Sequence, residues 1–434
     1  MKKTPLDDWI ASLTGLPMTR RALSRHALSA LRRTLERART SSPFYGARLA
    51  PFPEDFPRSL RDYGALPVTD PGDLAADPMA LLAAPQEAVE RIVTLPTSGT
   101  TGAAKRIFFT ERDLARTMDI FRVGMSSFVR PGGRVLVLLP WERPGSIGDL
   151  LRKSLALDGI RCNCLWPLPD EKAILEEVAS FAPDCLAGLP AQILCLARHP
   201  SAHLARGVQS VLLCADFAAE RLVRAVSDAW GCLVMRHYAL TELGYGGALE
   251  CEAKSGFHVM EGHFFFEVAD LVTGHPLPPG RWGEILVTTL AAEGTPLLRY
   301  RTGDGGRILR GRCPCGSEIR RVAVTGRIGN GVALAGGGFL PLARLDEALF
   351  ALPWLGDYAA AVEEGRIVLA LYAPGGVKDP PQRIEEVKAL LRTILPPSGR
   401  RLDEFVDVRF TERQASRPSS VKRMASGAPP RPRP

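Results

Sequence analysis

Thr97-Ser98-Gly99-Thr100-Thr101-Gly102-Ala103-Ala104-Lys105 is the stretch that decides how this chain is read. Four hydroxyl side chains and two glycines stand ahead of a single lysine. Glycines let backbone N–H groups approach phosphate oxygens, hydroxyls add donors, and an ammonium group neutralises charge. The string does not match G-x-x-x-x-G-K-[ST], because two residues separate Gly102 from Lys105. It also runs into a strand-like segment rather than a helix, which argues against a P-loop NTPase or a dinucleotide fingerprint. Turns rich in Ser, Thr and Gly are ordinary on protein surfaces. The full nine-residue combination is far more specific.

Working outward, Ile92–Leu95 and Arg106–Phe109 read as short strands on either side of this loop. Thr110 then opens a helix, with Asp113 in the position of a capping-box partner. Upstream, helical apolar spacing runs from Arg20 to about Ala38 and breaks at Ser42-Pro43-Phe44-Tyr45, followed by a Pro-rich irregular segment to about Asp73. Downstream, the strand candidates Val135–Leu139, Val211–Cys214 and Leu233–Met235 alternate with the helical stretches Asp149–Leu157, Glu171–Phe181 and Ala219–Trp230. That alternation predicts βαβ units and a mostly parallel sheet. Between Gly256 and Leu309 the texture changes to short strands, His263–Val268 and Glu284–Thr289, around the turn Pro278-Pro279-Gly280. Antiparallel pairing is expected there. A Gly-rich junction, Gly326 to Gly338, precedes a smaller αβ pattern from Leu345 to Phe410. The expected fold is α/β, α+β in parts: a large N-terminal domain over 1–326 and a small C-terminal domain over 327–434, with a hinge near 327–338 and a basic tail over 413–434.

The chain has 434 residues, 55 Lys+Arg and 47 Asp+Glu, for a formal charge of +8. From Glu412 onward six basic residues face one acid, so the tail carries +5 and the rest of the chain only +3. A nearly neutral body makes no long phosphate-neutralising surface, and nucleic acid is not expected as a partner. No apolar stretch follows Lys2-Lys3, and no run of ~18 uncharged apolar residues occurs, so neither a signal peptide nor a membrane partner is expected. Nine cysteines in such a chain suit a reducing compartment, and the expected location is cytoplasmic. Cys251-x₆-His258 and Cys313-Pro314-Cys315-Gly316 supply three thiols and an imidazole, a set suited to structural Zn²⁺. Cys162, Cys164, Cys185, Cys195 and Cys232 read as small core residues. His237 reads as a packed histidine, with a role as acid or base the alternative.

The loop Thr97–Lys105 resembles the phosphate-binding signature of the adenylate-forming superfamily, and within it the phenylacetate–CoA ligases. Ser42–Tyr45, Tyr238-Ala239-Leu240-Thr241-Glu242, Leu277–Gly280, Gly283–Leu290 and Arg299-Tyr300-Arg301-Thr302-Gly303-Asp304 follow in that family's order, so the resemblance covers most of the chain. It implies ATP-dependent activation of a small carboxylic acid as an acyl-adenylate, then transfer to coenzyme A. Thr97, Ser98, Gly99, Thr100, Thr101, Gly102 and Lys105 would then wrap the β- and γ-phosphates. Glu242 would hold Mg²⁺, Thr241 would bond the α-phosphate, Tyr238 would lie against adenine, and Asp304 would accept from the ribose hydroxyls. Asp216, in Cys214-Ala215-Asp216, stands where the family places a Gly-Ala-Glu-like adenine contact, and Arg327 matches its ribose-contacting arginine. Lys422, in Arg417-Pro418-Ser419-Ser420-Val421-Lys422, matches the lysine that enters the site during adenylation. Gly329, Asn330 and Ala335 replace two aspartates and a basic residue at the hinge. Some relatives carry a metal site at positions matching the cysteine–histidine set, and dimers occur among them. The hinge departures leave other readings open: adenylation with transfer to a protein thiol, adenylation with no thioester step, or a catalytically impaired nucleotide-binding regulator.

Overall fold

The computed structural model describes residues 4–95, 104–334, 338–395, 402–412 and 425. Thr97 to Gly102, Ala335 and Lys422 lie outside them. Contacts gather the chain into two units, one built from residues up to 127 with 237–324, the other from 128–236 with residues from 325 onward.

In the first unit the helix Arg20–Ser41 starts on Thr19, whose side chain accepts from Ala22 N–H. It buries Leu23, Ala27, Ala30, Leu31, Thr34, Leu35 and Ala38, a stripe at spacings of three and four. The break foreseen near Ala38 comes at Ser42, because Pro43 has no N–H to continue the ladder. Ser42 caps a second helix, Pro43–Leu49, by accepting from Tyr45 N–H at 3.3 Å. The Pro-rich stretch beyond it is not wholly irregular, since Pro71–Ala76 forms one further short helix on an Asp70–Asp73 capping box. Tyr45 is buried, with its hydroxyl 3.1 Å from Thr69 Oγ1 and accepting from Leu298 N–H at 3.1 Å. The Ser-Pro-Phe-Tyr string therefore anchors the segment that leads into Arg299–Asp304.

Val89–Leu95 and Lys105–Thr110 pair antiparallel, with Leu95 opposite Lys105, so the two ends of the hydroxyl-rich loop are fastened side by side. The helix Glu111–Met125 begins on the expected capping box. Asp113 reaches further than that motif requires: its carboxylate accepts from Thr110 N–H at 3.0 Å, Glu293 N–H at 2.9 Å and Gly294 N–H at 2.9 Å. The expected antiparallel region is a sheet in which Phe264–Ala269 pairs with Gly283–Thr289, and Gly283–Thr289 with Tyr300–Ile308. The strand opening at Arg321, then Phe257–Val259, Gly247–Glu250 and residues 237–239, continue it in that order.

The second unit holds the parallel sheet. Its strands Arg134–Val137, Arg161–Cys164, Cys185–Gly188, Ser210–Leu213 and the first half of Leu233–Ala239 lie in the order 2-1-3-4-5. The second and third strands, and the helix Pro190–Arg198 that follows, escaped the sequence reading. Each strand is only four residues long, and Cys185–Gly188 is buried on both faces, so no period-two alternation marks it. Cys162 is correspondingly only half-buried on an edge strand, whereas the other cysteines read as core are buried. The C-terminal part carries a three-stranded sheet, Asp357–Glu363, Arg366–Tyr372 and Val406–Phe410, with the helices Leu342–Leu349 and Pro380–Ile394. Within the Gly-rich junction, Gly331–Ala333 and Phe339–Pro341 pair as a small hairpin. Leu136, Leu186, Leu194, Val211 and Leu222 share one apolar cluster with Leu345, Leu349, Leu369 and Leu391. The architecture is the mixed α/β one expected. Among the described residues no helix is long and apolar enough to cross a membrane.

Replacing Asp113 by Ala strands several buried donors at once. Asp113→Ala is expected to cost ~2–4 kcal/mol and to lower the first thermal transition by roughly 5–10 °C. Asp113→Asn, which keeps one acceptor, is expected to fall between that variant and the parent in differential scanning calorimetry.

Candidate active site

The string Arg299–Asp304 organises the centre of the first unit, with Arg299, at φ 47°, just before the strand Tyr300–Ile308 and an irregular register within it. Arg299 and Arg301 pair with carboxylates of the same sheet, Arg299 with Glu267 at 3.2 Å and Arg301 with Glu284 at 3.0 Å. Gly303 has a left-handed φ of 76° and donates its N–H to the same Glu284 at 2.9 Å. The alternate residues carry the polar atoms of the site. Tyr300 donates its hydroxyl to Glu242 Oε1 at 2.9 Å. Thr302 bonds Ile285 O at 2.8 Å and receives Asp304 N–H at 3.0 Å. Asp304 accepts the Tyr238 hydroxyl at 2.9 Å.

Glu242 sits in the single turn Thr241–Leu243, just past the strand Leu233–Ala239. Gly244 closes that turn at φ +65°, where a Cβ would lie 2.7 Å from Thr117 Oγ1, so only glycine fits. The Glu242 carboxylate is buried, and Lys105 reaches it from the strand that follows the loop, with Nζ 2.5 Å from Oε1 and 3.3 Å from the Tyr300 hydroxyl. Lys105 and Glu242 are only 13% and 8% exposed, so each offsets much of the cost of burying the other. Tyr238 presents its ring between Phe266 and Phe257, with centroids 6.1 and 6.5 Å away.

Five sequence candidates thus come together in the first unit: Lys105, Tyr238, Thr241, Glu242 and Asp304. Tyr300, to which the sequence reading assigned no role, bonds both Lys105 and Glu242. Its signal was position alone, four residues before Asp304 on a strand with period two. Asp216 and Arg327 belong to the second unit. Asp216 lies half-buried after Ala215, which has φ +67°, and its carboxylate accepts Phe217 N–H at 2.8 Å. Arg327 lies between Gly326 and Gly329, both with positive φ. The loop residues Thr97 to Gly102 and Lys422 lie outside the described residues.

A second constellation in the first unit is the expected cysteine–histidine set. Cys251, His258, Cys313 and Cys315 are all buried, and their donor atoms lie within 4.8 Å of one another. Cys251 Sγ and Cys313 Sγ are 3.7 Å apart, and Cys315 Sγ is 3.6 Å from His258 Nε2. Donors about 2.3 Å and about 2.0 Å from a tetrahedral centre would be separated by about 3.5–3.8 Å, so the set fits one metal ion. Burial pushes the His258 imidazole down to about 4, keeping it neutral as a ligand must be. The loop is braced by a residue that sequence reasoning passed over. Asp7, on the helix Pro5–Thr14, accepts from Ser317 Oγ at 2.8 Å and from Thr4 Oγ1 at 2.9 Å.

Residues 59–291 match the family model of the AMP-binding enzyme. The chain is 30% identical over 351 residues, 77% of each chain, to a phenylacetate-coenzyme A ligase of Pseudomonas putida. It belongs to the adenylate-forming, phenylacetate–CoA ligase-like family. A phenylacetate-coenzyme A ligase of Thermus thermophilus is 30% identical over 312 residues, 68% of this chain and 67% of that one. In structure, a 2-hydroxyisobutyryl-CoA ligase in its postadenylation state superposes with a TM-score of 0.76, covering 93% of this chain and 89% of the other at 17% identity. At that identity the likeness is one of fold.

Two further histidines of the first unit bear on its stability. Burial pushes His237 and His263 down to about 4. At His263 the positive charges of Arg116 and His26 add to that, and Nδ1 has no partner among the described residues. A folded pKa below the unfolded value means that the unfolded chain takes up the proton first, so stability is intact near neutrality and lost as pH falls from about 6.5 toward 4. His263→Gln is therefore expected to lose about 2 kcal/mol less than the parent between pH 7 and pH 5, read from urea unfolding at each pH.

Proposed function

We infer that this adenylate-forming enzyme joins a carboxylic acid to the α-phosphorus of ATP and passes the acyl group to coenzyme A. In the first half a carboxylate oxygen bonds to phosphorus while the bond to pyrophosphate breaks. In the second a thiolate attacks the acyl carbon, the bond to AMP breaks, and a thioester remains. Bringing an anionic acid to an anionic triphosphate makes charge neutralisation the main task. The observation that carries the reading is the buried Lys105–Glu242–Tyr300 cluster, at the point where the hydroxyl-rich loop enters its strand.

Lys105 serves as counter-ion to Glu242 and, with the loop Thr97–Gly102, turns to the β- and γ-phosphates of ATP. Glu242, freed from that pair, would hold Mg²⁺. Bound there, Mg²⁺ supplies positive charge to the triphosphate. Tyr300 keeps the Glu242 carboxylate oriented throughout. Thr241 bonds the α-phosphate, Tyr238 offers a flat apolar ring to adenine, and Asp304 accepts from the ribose diol. Asp216 and Arg327 complete the nucleotide contacts. Lys422 enters for the first half-reaction, with residues 327–338 as the hinge of a C-terminal domain. Support comes from the tail beyond that lysine: Ala425, three residues past Lys422, donates its N–H to Asn330 Oδ1 at 3.0 Å. The names of the relatives make phenylacetate the first acid to try. Cys251, His258, Cys313 and Cys315 bind one structural Zn²⁺.

Pyrophosphate release is expected to depend on an added acid, tested over aryl and short-chain acids, with AMP and acyl-CoA appearing once coenzyme A is present. Adenylate formation that coenzyme A never converts to acyl-CoA would favour transfer to a protein thiol instead. Glu242→Gln and Lys105→Ala are each expected to slow acid-dependent pyrophosphate release by about 10²–10³-fold, while Tyr300→Phe costs about tenfold. Elemental analysis of protein purified without chelators is expected to find about one zinc per chain. Cys313→Ser is expected to lose the metal and lower the melting temperature.

A further inference from the structure

The helix Pro5–Thr14 follows Thr4, and Asp7 stands three residues on, where an acid commonly turns back to the helix start. Here the two carboxylate oxygens serve different elements. Oδ2 accepts the Thr4 hydroxyl at 2.9 Å, whereas Oδ1 leaves the helix and accepts the Ser317 hydroxyl at 2.8 Å. Asp7 is 1% exposed and Ser317 is 0% exposed, so water does not compete for that second bond. Leu6 and Ile10, four residues apart on one face of the helix, are buried beside it. The bond is thus a polar tie within an apolar seat.

Ser317 passes that tie on to the cysteine loop. Its hydroxyl also accepts Ile319 N–H at 3.2 Å, and its own N–H donates to Cys315 Sγ. Between them Gly316 turns at φ +89°, with its N–H on Cys313 O at 2.8 Å. A continuous path of hydrogen bonds therefore runs from Asp7 through Ser317 to one sulfur of the Cys251, His258, Cys313 and Cys315 set. An N–H aimed at sulfur favours the thiolate that a metal requires. The histidine of the set is supported differently. Its Nε2 faces Cys315 Sγ at 3.6 Å, and Nδ1 is buried with no partner among the described residues. Metal-bound histidines almost always hand that second N–H to a carboxylate, a carbonyl or water. In this set the outer carboxylate stands behind a cysteine instead.

We propose that Asp7, acting through Ser317, is a positioning residue of the metal site, and that bound metal in turn fastens the start of the helix Pro5–Thr14. The proposal rests on the reading that the cysteine–histidine set holds Zn²⁺. Fixing Ser317 fixes the N–H aimed at Cys315 and the turn at Gly316, so the sulfur stays presented toward the other three donors. Contacts of this kind are worth about 10–100-fold in metal affinity. Coupling between two sites is reciprocal, so whatever Asp7 contributes to holding the metal, the metal contributes to holding Asp7. The carboxylate acts here as a hydrogen-bond acceptor. An amide in its place can still accept the Ser317 hydroxyl while its NH₂ group meets Thr4 Oγ1.

The test measures zinc affinity of the full chain by competition with a chromophoric chelator. Asp7→Ala and Ser317→Ala are each expected to bind zinc at least about tenfold more weakly than the parent. Asp7→Asn is expected to stay within about threefold of the parent. Asp113→Ala, which weakens the same unit away from the metal, is expected to keep the parent's affinity and so separates positioning from loss of stability. In the parent itself, removing zinc is expected to speed amide exchange over residues 6–14, a readout that needs no variant to fold. Unchanged affinity in both alanine variants, an equal loss in Asp113→Ala, or exchange over residues 6–14 indifferent to zinc would overturn the proposal while leaving the metal site intact. A parent chain that takes up no zinc would overturn the zinc reading itself, and this inference with it.

Discussion

A carboxylate buried beside an ammonium group is the constraint on which the first unit turns. The Glu242 carboxylate, 8% exposed, lies beside Lys105 and the Tyr300 hydroxyl, which offset part of the cost of its burial. Each of those partners is delivered by a different piece of chain. Lys105 comes from a two-stranded ladder, Tyr300 from the antiparallel sheet, and Glu242 from a turn that only a left-handed Gly244 can close. The three elements are tied to one another through a charge that water does not solvate. Arg299 does the same one strand residue away, where its buried guanidinium meets Glu267 and the carbonyl of Gly274. The Tyr300–Glu242 and Arg299–Glu267 contacts are thus paired in this structure and hold the three elements in place.

Much of this was legible because local chemistry and fold agree. Thr110 and Asp113 announced a helix start, Ser42-Pro43 a helix break, and the hydroxyl-glycine-lysine string a loop between strands. Lys105, Glu242, Tyr238 and Asp304 stood out because each sits in a string with recognisable chemistry. Long-range partnership was not legible. Nothing in residues 4–7 signals that Asp7 will brace a cysteine loop more than 300 residues away, as its bond to Ser317 does. Nor do the four-residue strands Arg161–Cys164 and Cys185–Gly188 leave a periodic trace when helices cover them. Tyr300 was quoted within its string but given no task, because the neighbour that defines its task is 58 residues distant.

At the hinge, substitution reads differently in three dimensions than along the chain. Asn330 stands where the family resemblance implies an aspartate, and as a sequence feature it looked like loss. Its side chain instead receives Ala425 N–H, and its carbonyl receives Leu342 N–H at 2.9 Å. An amide is neutral, so its side chain can take the Ala425 bond in a buried position without a compensating cation. The departure from the family pattern therefore has a structural occupation, independent of any effect on the second half-reaction.

The pairing of Leu95 with Lys105 carries a consequence for how this chain can vary. The backbone of the lysine is fixed by a ladder of main-chain bonds to the strand Val89–Leu95. Insertions or deletions between the two strands would leave that backbone where it is. A single-residue slip in the ladder itself would instead turn Lys105 to the opposite face of its ribbon. Tolerance to change in length and intolerance to change in register thus sit within ten residues of each other.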